Sequence, residues 1–580
     1  MKYPTLYTKE SSRQMVDTFK GYNHNLRISD GEFFDMKNMT SDSYPVLSPR
    51  KKRGVYATPN SPTGLIAKDA LCYVDGSYFV MNEYRIDMGL NDEPKQIVSM
   101  GAYVIILPDK KYINTADVTD YGNIEAEYTT ASPVSFTLCK LDGTKYQVTY
   151  EPSANEPTDP SNMALWIDTS SEPHTLKQYS ESAGMWVSVP TTYVKISCSG
   201  IGKVFEKYDG IDVSGLADTK AASLEGAAVV WEKGDDYIVV VGILDETVEV
   251  DTPVTISRKM PNMDFVTECG NRLWGCRYGE SINGEIVNEI YASKLGDFKN
   301  WNCFMSLSTD SWVGSVGTDG QFTGAITHLG YPVFFKENVL HKVYISSSGA
   351  HGIQDTACRG VQKGCEKSLA IVNETLFYKA RSGVVAYDGS LPAEVSYALG
   401  DMAYGNAVGG AVGNKYYVSM QEAVGDIWDV FVYDTAKGMW HREDDLRTDA
   451  MCACRGELYA IEHESRKIIS LLGSGDTAED SVEWMVQTGE IGISSPDMKY
   501  ISRLTIRMAM DVGSELRVYA QYDFCDEWER VCTLTSTNLR SFSIPIRPKR
   551  CDYMKLRIEG KGMAKIYSIT KTIEQGSELS

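Results

Sequence analysis

Gly413-Asn414-Lys415-Tyr416-Tyr417 sets a tight turn directly before an aromatic strand, and the same phrase returns along the chain. Gly270-Asn271 precedes Leu273-Trp274, Gly330 precedes Val333-Phe334, Asn373 precedes Leu376-Phe377, and Gly456 precedes Leu458-Tyr459. The steps from Phe334 to Phe377, to Tyr417 and to Tyr459 are 43, 40 and 42 residues. A period of about 40–45 residues is the length of one four-stranded propeller blade. Companion strands fall inside each period, as in Val385-Ala386-Tyr387-Asp388-Gly389 and Val430-Phe431-Val432-Tyr433-Asp434, the latter closed by Gly438-Met439-Trp440. The step from Trp274 to Phe334 is 60 and requires a long loop within that blade.

Working outward toward the N-terminus, Leu71-Cys72-Tyr73-Val74, the hairpin turn Asp75-Gly76 and Tyr78-Phe79-Val80-Met81 read as paired strands. Ile97-Val98 and Tyr103-Val104-Ile105-Ile106-Leu107 flank Gly101 in the same way. The gap of 25 between Phe79 and Val104 reads as too short for a full blade. Residues 56–121 are therefore assigned to the first blades and 258–475 to the remaining ones. Between them, 122–257 breaks the repeat, with Leu165-Trp166-Ile167-Asp168 and Met185-Trp186-Val187-Ser188-Val189 set among polar, Pro-containing loops. That stretch is expected to be a small inserted β domain.

After Gly473-Ser474-Gly475 the pattern becomes strict alternation: Leu504, Ile506, Met508 and Met510, then Leu516, Val518, Ala520 and Tyr522. One buried and one wet face is the signature of a sandwich, placed at 476–580. Residues 1–55 are polar and broken by Gly21, Gly31, Pro45 and Pro49. They are expected to form an extended arm that orders on a partner surface, with Arg50-Lys51-Lys52-Arg53 as a solvated turn. The fold class expected is all-β: a β-propeller with an inserted small β domain and a C-terminal β-sandwich.

Bulk properties agree with several β domains. The 580 residues exceed one ordinary core and suggest about three or four domains. Gly 49 and Tyr 35 fit many short strands joined by turns. The net charge of −21 disfavours groove or phosphate binding of nucleic acid. Thirteen cysteines without a compact spacing framework point to reduced thiols and a cytoplasmic folding environment. The opening Met1-Lys2-Tyr3-Pro4-Thr5-Leu6-Tyr7 lacks a signal-peptide core, and no stretch approaches the roughly 18 apolar residues of a membrane span.

The sequence offers no positive catalytic, cofactor or metal signature, and no catalytic, cofactor-binding or metal-ligating residue is assigned. The seven histidines, His24, His174, His328, His341, His351, His441 and His463, make no His-Glu-x-x-His motif. Cys452 and Cys454 share one strand face and read as core, and Cys358 and Cys365 flank a loop that would hold a metal only if other ligands converged there. Gly405 to Gly413 reads as close strand packing, not as a phosphate loop. Ser308-Thr309-Asp310-Ser311-Trp312 is a poor echo of the sialidase box, and Trp428-Asp429 occurs once, without the regular endings of WD40 blades.

Three passages together carry a resemblance. The first is Phe19-Lys20-Gly21-Tyr22-Asn23 with Asp30-Gly31-Glu32 and Met36-Lys37-Asn38-Met39, then Pro45 and Arg50. The second is Gly270-Asn271-Arg272-Leu273-Trp274-Gly275 with Ile290-Tyr291-Ala292-Ser293-Lys294-Leu295-Gly296-Asp297 and Val333-Phe334-Phe335-Lys336-Glu337. The third is Arg547-Pro548-Lys549-Arg550-Cys551-Asp552 with Glu559-Gly560-Lys561-Gly562 and Ile566-Tyr567-Ser568-Ile569. In this order they resemble the tail nozzle (tubular tail protein B) family of short-tailed bacteriophages. The resemblance implies a virion structural protein, a homohexameric ring docked beneath the portal and adaptor, tail fibre proteins as neighbours, and genomic DNA passing through the lumen without specific binding. It implies a place in the virion tail after assembly in the host cytoplasm, no cofactor, and no enzymatic activity. Two other readings are carried: a tail-tip receptor-binding or fibre-attachment protein, with Trp166 and Trp186 as sugar platforms if exposed, and a propeller glycan hydrolase with carboxylates converging in a propeller mouth.

Overall fold

A computed structural model describes residues 11–575 apart from 132, 282–283, 347–349, 495–496 and 524. Within them the chain is all-β, with many small sheets and four short 3-10 turns but no α-helix. Seven antiparallel units follow one another: four-stranded sheets at 62–87, 96–123, 265–315, 324–357 and 370–394, four strands of a larger sheet at 404–442, and a five-stranded sheet that begins at 448–470 and is completed by Gly54–Ala57 and Asp476–Thr477. They are blades 1 to 7 below. Their innermost strands touch in succession, except that blade 4 meets blade 5 through the 3-10 turn Glu366–Ser368, and that of blade 7 (Thr448–Cys454) returns to that of blade 1 (Pro62–Lys68). The arrangement is propeller-like and closed.

The aromatic dyads explain why the ring closes. Each lies on the second strand of its blade, where successive side chains point to opposite faces. Leu273 packs toward blade 2 with Met100 and Ile105, while Trp274 packs toward blade 4 with Phe334. Tyr416 stacks on Phe377 of blade 5 at 5.4 Å, while Tyr417 joins Leu458 of blade 7. Tyr459 turns to Leu71 and Leu65 of blade 1. One dyad per blade therefore supplies both inter-blade interfaces, and the second strands are buried on both faces.

The spacing of 25 between Phe79 and Val104 misled because the two residues are not equivalent. Phe79 is on the third strand of blade 1 (Tyr78–Met81) and Val104 on the second strand of blade 2 (Tyr103–Leu107). Both sheets have four strands. The step of 60 arises from the connection 293–311 in blade 3, whose Phe298 and Trp301 pack with Tyr112, Ile105 and Leu273.

The N-terminal segment is not a free arm. Ser11–Val16 pairs with Ala564–Gln575, and Gly54–Ala57 completes blade 7 beside Ile468–Ser470. Gly21–Tyr22 and Glu32–Lys37 bridge blade 6 (Met439–Arg442) to Glu483–Thr488, so one 13-stranded sheet runs from blade 6 into the C-terminal strands. Positions 1–10 lie outside the described residues. Over its described residues the reading of 1–55 as an arm awaiting a partner surface is corrected for a physical reason: its strands find their backbone hydrogen-bond partners within the chain itself.

Arg50 and Arg53 correct the solvated-turn reading too, since both are buried. Arg50 makes paired bonds of 2.8 and 2.7 Å to Glu479, and Arg53 reaches both oxygens of Asp444 at 2.7 and 2.8 Å and Glu443 at 2.8 Å. Burial pushes the Glu443 carboxyl up against the pull of Arg53 and Arg50. At Asp444 burial is outweighed by Arg53, and its carboxyl lies below the usual range.

Between blades 2 and 3 the chain leaves the ring and builds three further sheets from 126 to 258. Two of them enclose a core of Phe136, Val194, Ile196, Ile211, Val213 and Ile256. The buried ion pair of Arg258 with Asp209, and Asn300 donating to Asp209 at 3.0 Å, tie this region to the long loop of blade 3. At the C-terminal end the strand Lys499–Tyr522 pairs with Glu529–Ile544 along its length, with Ala564–Gln575 over its first half and with Met554–Lys561 over its second. Leu504, Ile506, Met508, Leu516, Val518 and Ala520 point inward and are fully buried.

Candidate functional site

The face of the ring at which the innermost strands begin collects the connections between blades, and connections carried on a rigid scaffold are where function concentrates. On it, a cleft of about 320 Å³ opens between blades 5 and 6. Two connections build it. Residues 381–382 join the second and third strands of blade 5, and 395–403 lead from its outer strand (Ala393–Glu394) to the inner strand of blade 6 (Tyr404–Val412).

The second connection is held from below. Trp440 Nε1 donates to the Val395 carbonyl at 2.7 Å, the His24 amide to Ala398 at 2.8 Å, and Asn25 Nδ2 to Tyr397 at 2.9 Å. Gly400 has φ +75°, and a Cβ there would stand 2.8 Å from the His24 carbonyl oxygen. Only glycine lets the chain turn at this point and lift Asp401 to the rim.

The cleft has a polar, partly cationic floor. Lys379 is buried, donates to Gln362 Oε1 at 2.7 Å and to the Ala380 carbonyl at 2.6 Å, and burial lowers its pKa. Ser396 accepts from the Val384 amide at 3.0 Å. Burial pushes the Tyr404 phenol well up, so it stays a neutral hydroxyl. Around the rim stand Arg381, Glu394, Tyr397 and Asp401, all exposed. Glu394 accepts from Arg359 at 2.9 Å. The Tyr397 side chain is 78% exposed although its backbone is fixed. An aromatic ring held open beside two carboxylates, a guanidinium and several hydroxyls can stack on a sugar face and hydrogen-bond its hydroxyls.

The residues that the sequence singled out go elsewhere. Trp166 and Trp186 are buried, edge to face at 5.5 Å beside Tyr150 and Tyr179, so they offer no open platform. Cys452 and Cys454 pack in the interface of blades 7 and 1, and Cys365 donates to the Gly405 carbonyl at 2.8 Å. Among the described residues no group of three or more His, Cys, Asp and Glu is gathered as a metal site would need. In the sialidase echo, Asp310 accepts from the Leu307 amide at 2.9 Å, and Arg272 donates to the carbonyls of Ser308 and Asp310 at 2.8 and 2.6 Å. It braces the long loop. The glycine run is close packing: a Cβ at Gly409 would lie 2.8 Å from the Ser368 carbonyl, and one at Gly410 2.8 Å from Met451.

None of the rim residues Arg381, Glu394, Tyr397 and Asp401 was singled out from sequence. The available signal was positional, since the repeat places them between strands on the face that receives the inter-blade connections.

No family model and no curated protein matches the chain. Among solved structures it is similar to the exo-β-1,3-galactanase of Phanerochaete chrysosporium, with 8% identity, TM-score 0.19, and 53% of this chain and 94% of that chain covered. It is also similar to the endosialidase of phage phi92, with 9% identity, TM-score 0.25 and coverage of 78% and 74%. A third is the Trypanosoma rangeli sialidase, with 8% identity, TM-score 0.21 and coverage of 98% and 96%. The expectation of a chain without enzymatic activity is withdrawn on this finding, because all three structures are of enzymes. Likenesses at these TM-scores support no particular activity.

Proposed function

We propose that this chain is a glycan-active protein whose saccharide site is the cleft between blades 5 and 6. The ring is read here as a seven-bladed propeller carrying an inserted β unit and a terminal sandwich. One observation carries the functional reading: a single propeller-face cleft brings together the open Tyr397 ring, Arg381 and the carboxylates Glu394 and Asp401. Glycoside hydrolysis uses two carboxyl groups flanking the scissile bond, one delivering a proton and the other acting on the sugar carbon or on water. Glu394 and Asp401 are assigned that pair of roles.

The test is a panel of purified bacterial surface polysaccharides incubated with the full chain, scored for new reducing ends and for retention of the protein. The reading expects turnover of one panel member, lost by at least about 100-fold in E394Q and D401N while Tyr397→Ala weakens retention. No turnover and no retention across the panel would contradict it.

A second reading, the tail nozzle of a short-tailed phage, is favoured by the continuous sheet that joins blade 6 to the C-terminal strands. Such a joint stiffens a subunit meant for a ring around an axis. The excess of negative charge would let duplex slide past, since like charges repel within a screening length of about 8 Å. That reading places six copies beneath a portal and adaptor, beside fibre proteins, in the virion tail. Electron microscopy of the purified chain tests it: six-fold rings support it, and monomers at all concentrations contradict it.

A further inference from the structure

At the junction of blades 3 and 4, on the same face as the cleft, three side chains form a hydrogen-bonded line. His341 and Asp355 are cross-strand partners on Val339–Ile345 and His351–Ala357. Asp355 Oδ1 lies 2.6 Å from His341 Nδ1. His341 Nε2 lies 3.0 Å from Thr318 Oγ1, in the connection that leads into blade 4. A carboxylate on Nδ1 fixes the tautomer with the proton there and leaves Nε2 as the acceptor for the hydroxyl.

The surroundings suit a base. The His341 side chain is wholly buried, and burial lowers its pKa, with Asp355 pulling the other way, so the ring is neutral near pH 7. Thr318 is half-exposed and Asp355 faces solvent with a side-chain exposure of 46%. The threonine is held in place by its carbonyl, which accepts from Lys336 Nζ at 2.6 Å and Asn288 Nδ2 at 2.7 Å. Phe322 covers the imidazole at 6.0 Å, nearly edge-on.

We propose that Thr318 and His341 are the nucleophile and base of an acyl-transfer site, with Asp355 as a positioning residue, acting on oxygen esters of small acyl groups. Thr318 Oγ1 attacks the ester carbonyl carbon while its proton passes to His341 Nε2. The carbon–oxygen bond to the alcohol breaks as His341 returns that proton to the departing alkoxide. Water, deprotonated by His341, then adds to the acyl-threonine, and the carboxylic acid leaves as Thr318 regains its proton. Ester and water are the only reactants. The β-methyl of threonine and its half-buried position restrict the acyl group to a small one. This site is separate from the saccharide cleft and does not depend on it.

The experiment combines hydrolysis of p-nitrophenyl acetate by the full chain with fluorophosphonate labelling and peptide mapping. The expected result is a label on Thr318, hydrolysis reduced by about 100-fold or more in T318V, activity kept in T318S, and a displaced pH–rate midpoint in D355N. A wild-type rate no higher than buffer, a T318V rate equal to wild type, or a label on another residue overturns the proposal. The labelled position and the wild-type rate are read on the wild-type chain, so these two outcomes do not depend on how the variants fold.

Discussion

Two charge-rich regions of the ring lie only one blade apart and are built on opposite principles. At the seam of blades 6 and 7, Arg50 and Arg53 are buried and pair at 2.7–2.8 Å with the buried Glu443 and the partly exposed Asp444 and Glu479. In the cleft between blades 5 and 6, Arg381, Glu394 and Asp401 stand exposed around an open aromatic ring. Removing charges from water costs several kcal/mol per ion, so a buried cluster persists only when its partners are already in place. An exposed set keeps its hydrogen-bonding capacity for something else. The seam ties the N-terminal segment to blades 6 and 7, and the cleft is where a ligand can be held.

The largest expected effect comes from breaking the seam. Arg53→Ala leaves Glu443 and Asp444 facing each other without their main partner, and a loss of about 3–5 kcal/mol in urea denaturation is expected. A loss under about 1 kcal/mol would show that the seam is not a fastening.

Acid should weaken the same region. His441 is buried beside Gly21, and burial lowers its pKa to about 3 from 6.5. An imidazole with a depressed folded pKa binds its proton first in the unfolded chain. Its contribution is therefore complete above pH 6.5 and is lost as pH falls toward 3. Asp444 and Glu479, also held low, change with the same sign as pH falls through the usual carboxylate range, Glu443, held high, changes with the opposite sign above that range, and His341 and His351 act in the upper window as well. The denaturation midpoint should be lower at pH 5 than at pH 7, and H441F should reduce that difference. An unchanged difference would contradict the assignment.

Smaller effects separate binding from folding. Tyr397→Ala should leave the melting temperature unchanged and weaken saccharide retention by up to about 10-fold, the worth of one stacked ring. At the other extreme, Lys220 pairs with Glu246 in full solvent, and K220A should change neither melting nor retention.

The ring was legible where physics repeats itself. Tyr416-Tyr417 and Leu458-Tyr459 must each bury side chains on two faces, and that demand recurs in every blade and so appears as a period. The strand Gly54–Ala57 gave no such signal, because its partner Ile468–Ser470 lies some 400 residues away and pairing at that distance leaves no local mark. Arg50 and Arg53 misread as solvated for the same reason, since their partners sit at 443, 444 and 479. The cleft was illegible for another reason. Glu394, Tyr397 and Asp401 occupy connections that follow no period, and only the closed ring brings them to one mouth.

The most direct test of the saccharide assignment is hydrogen–deuterium exchange on the full chain, with and without each bacterial surface polysaccharide of the panel. Slower exchange at 381–384 and 395–404 with one of them, and no change at 165–189, is the predicted result. Protection confined to 165–189, or none anywhere on the ring, would contradict it.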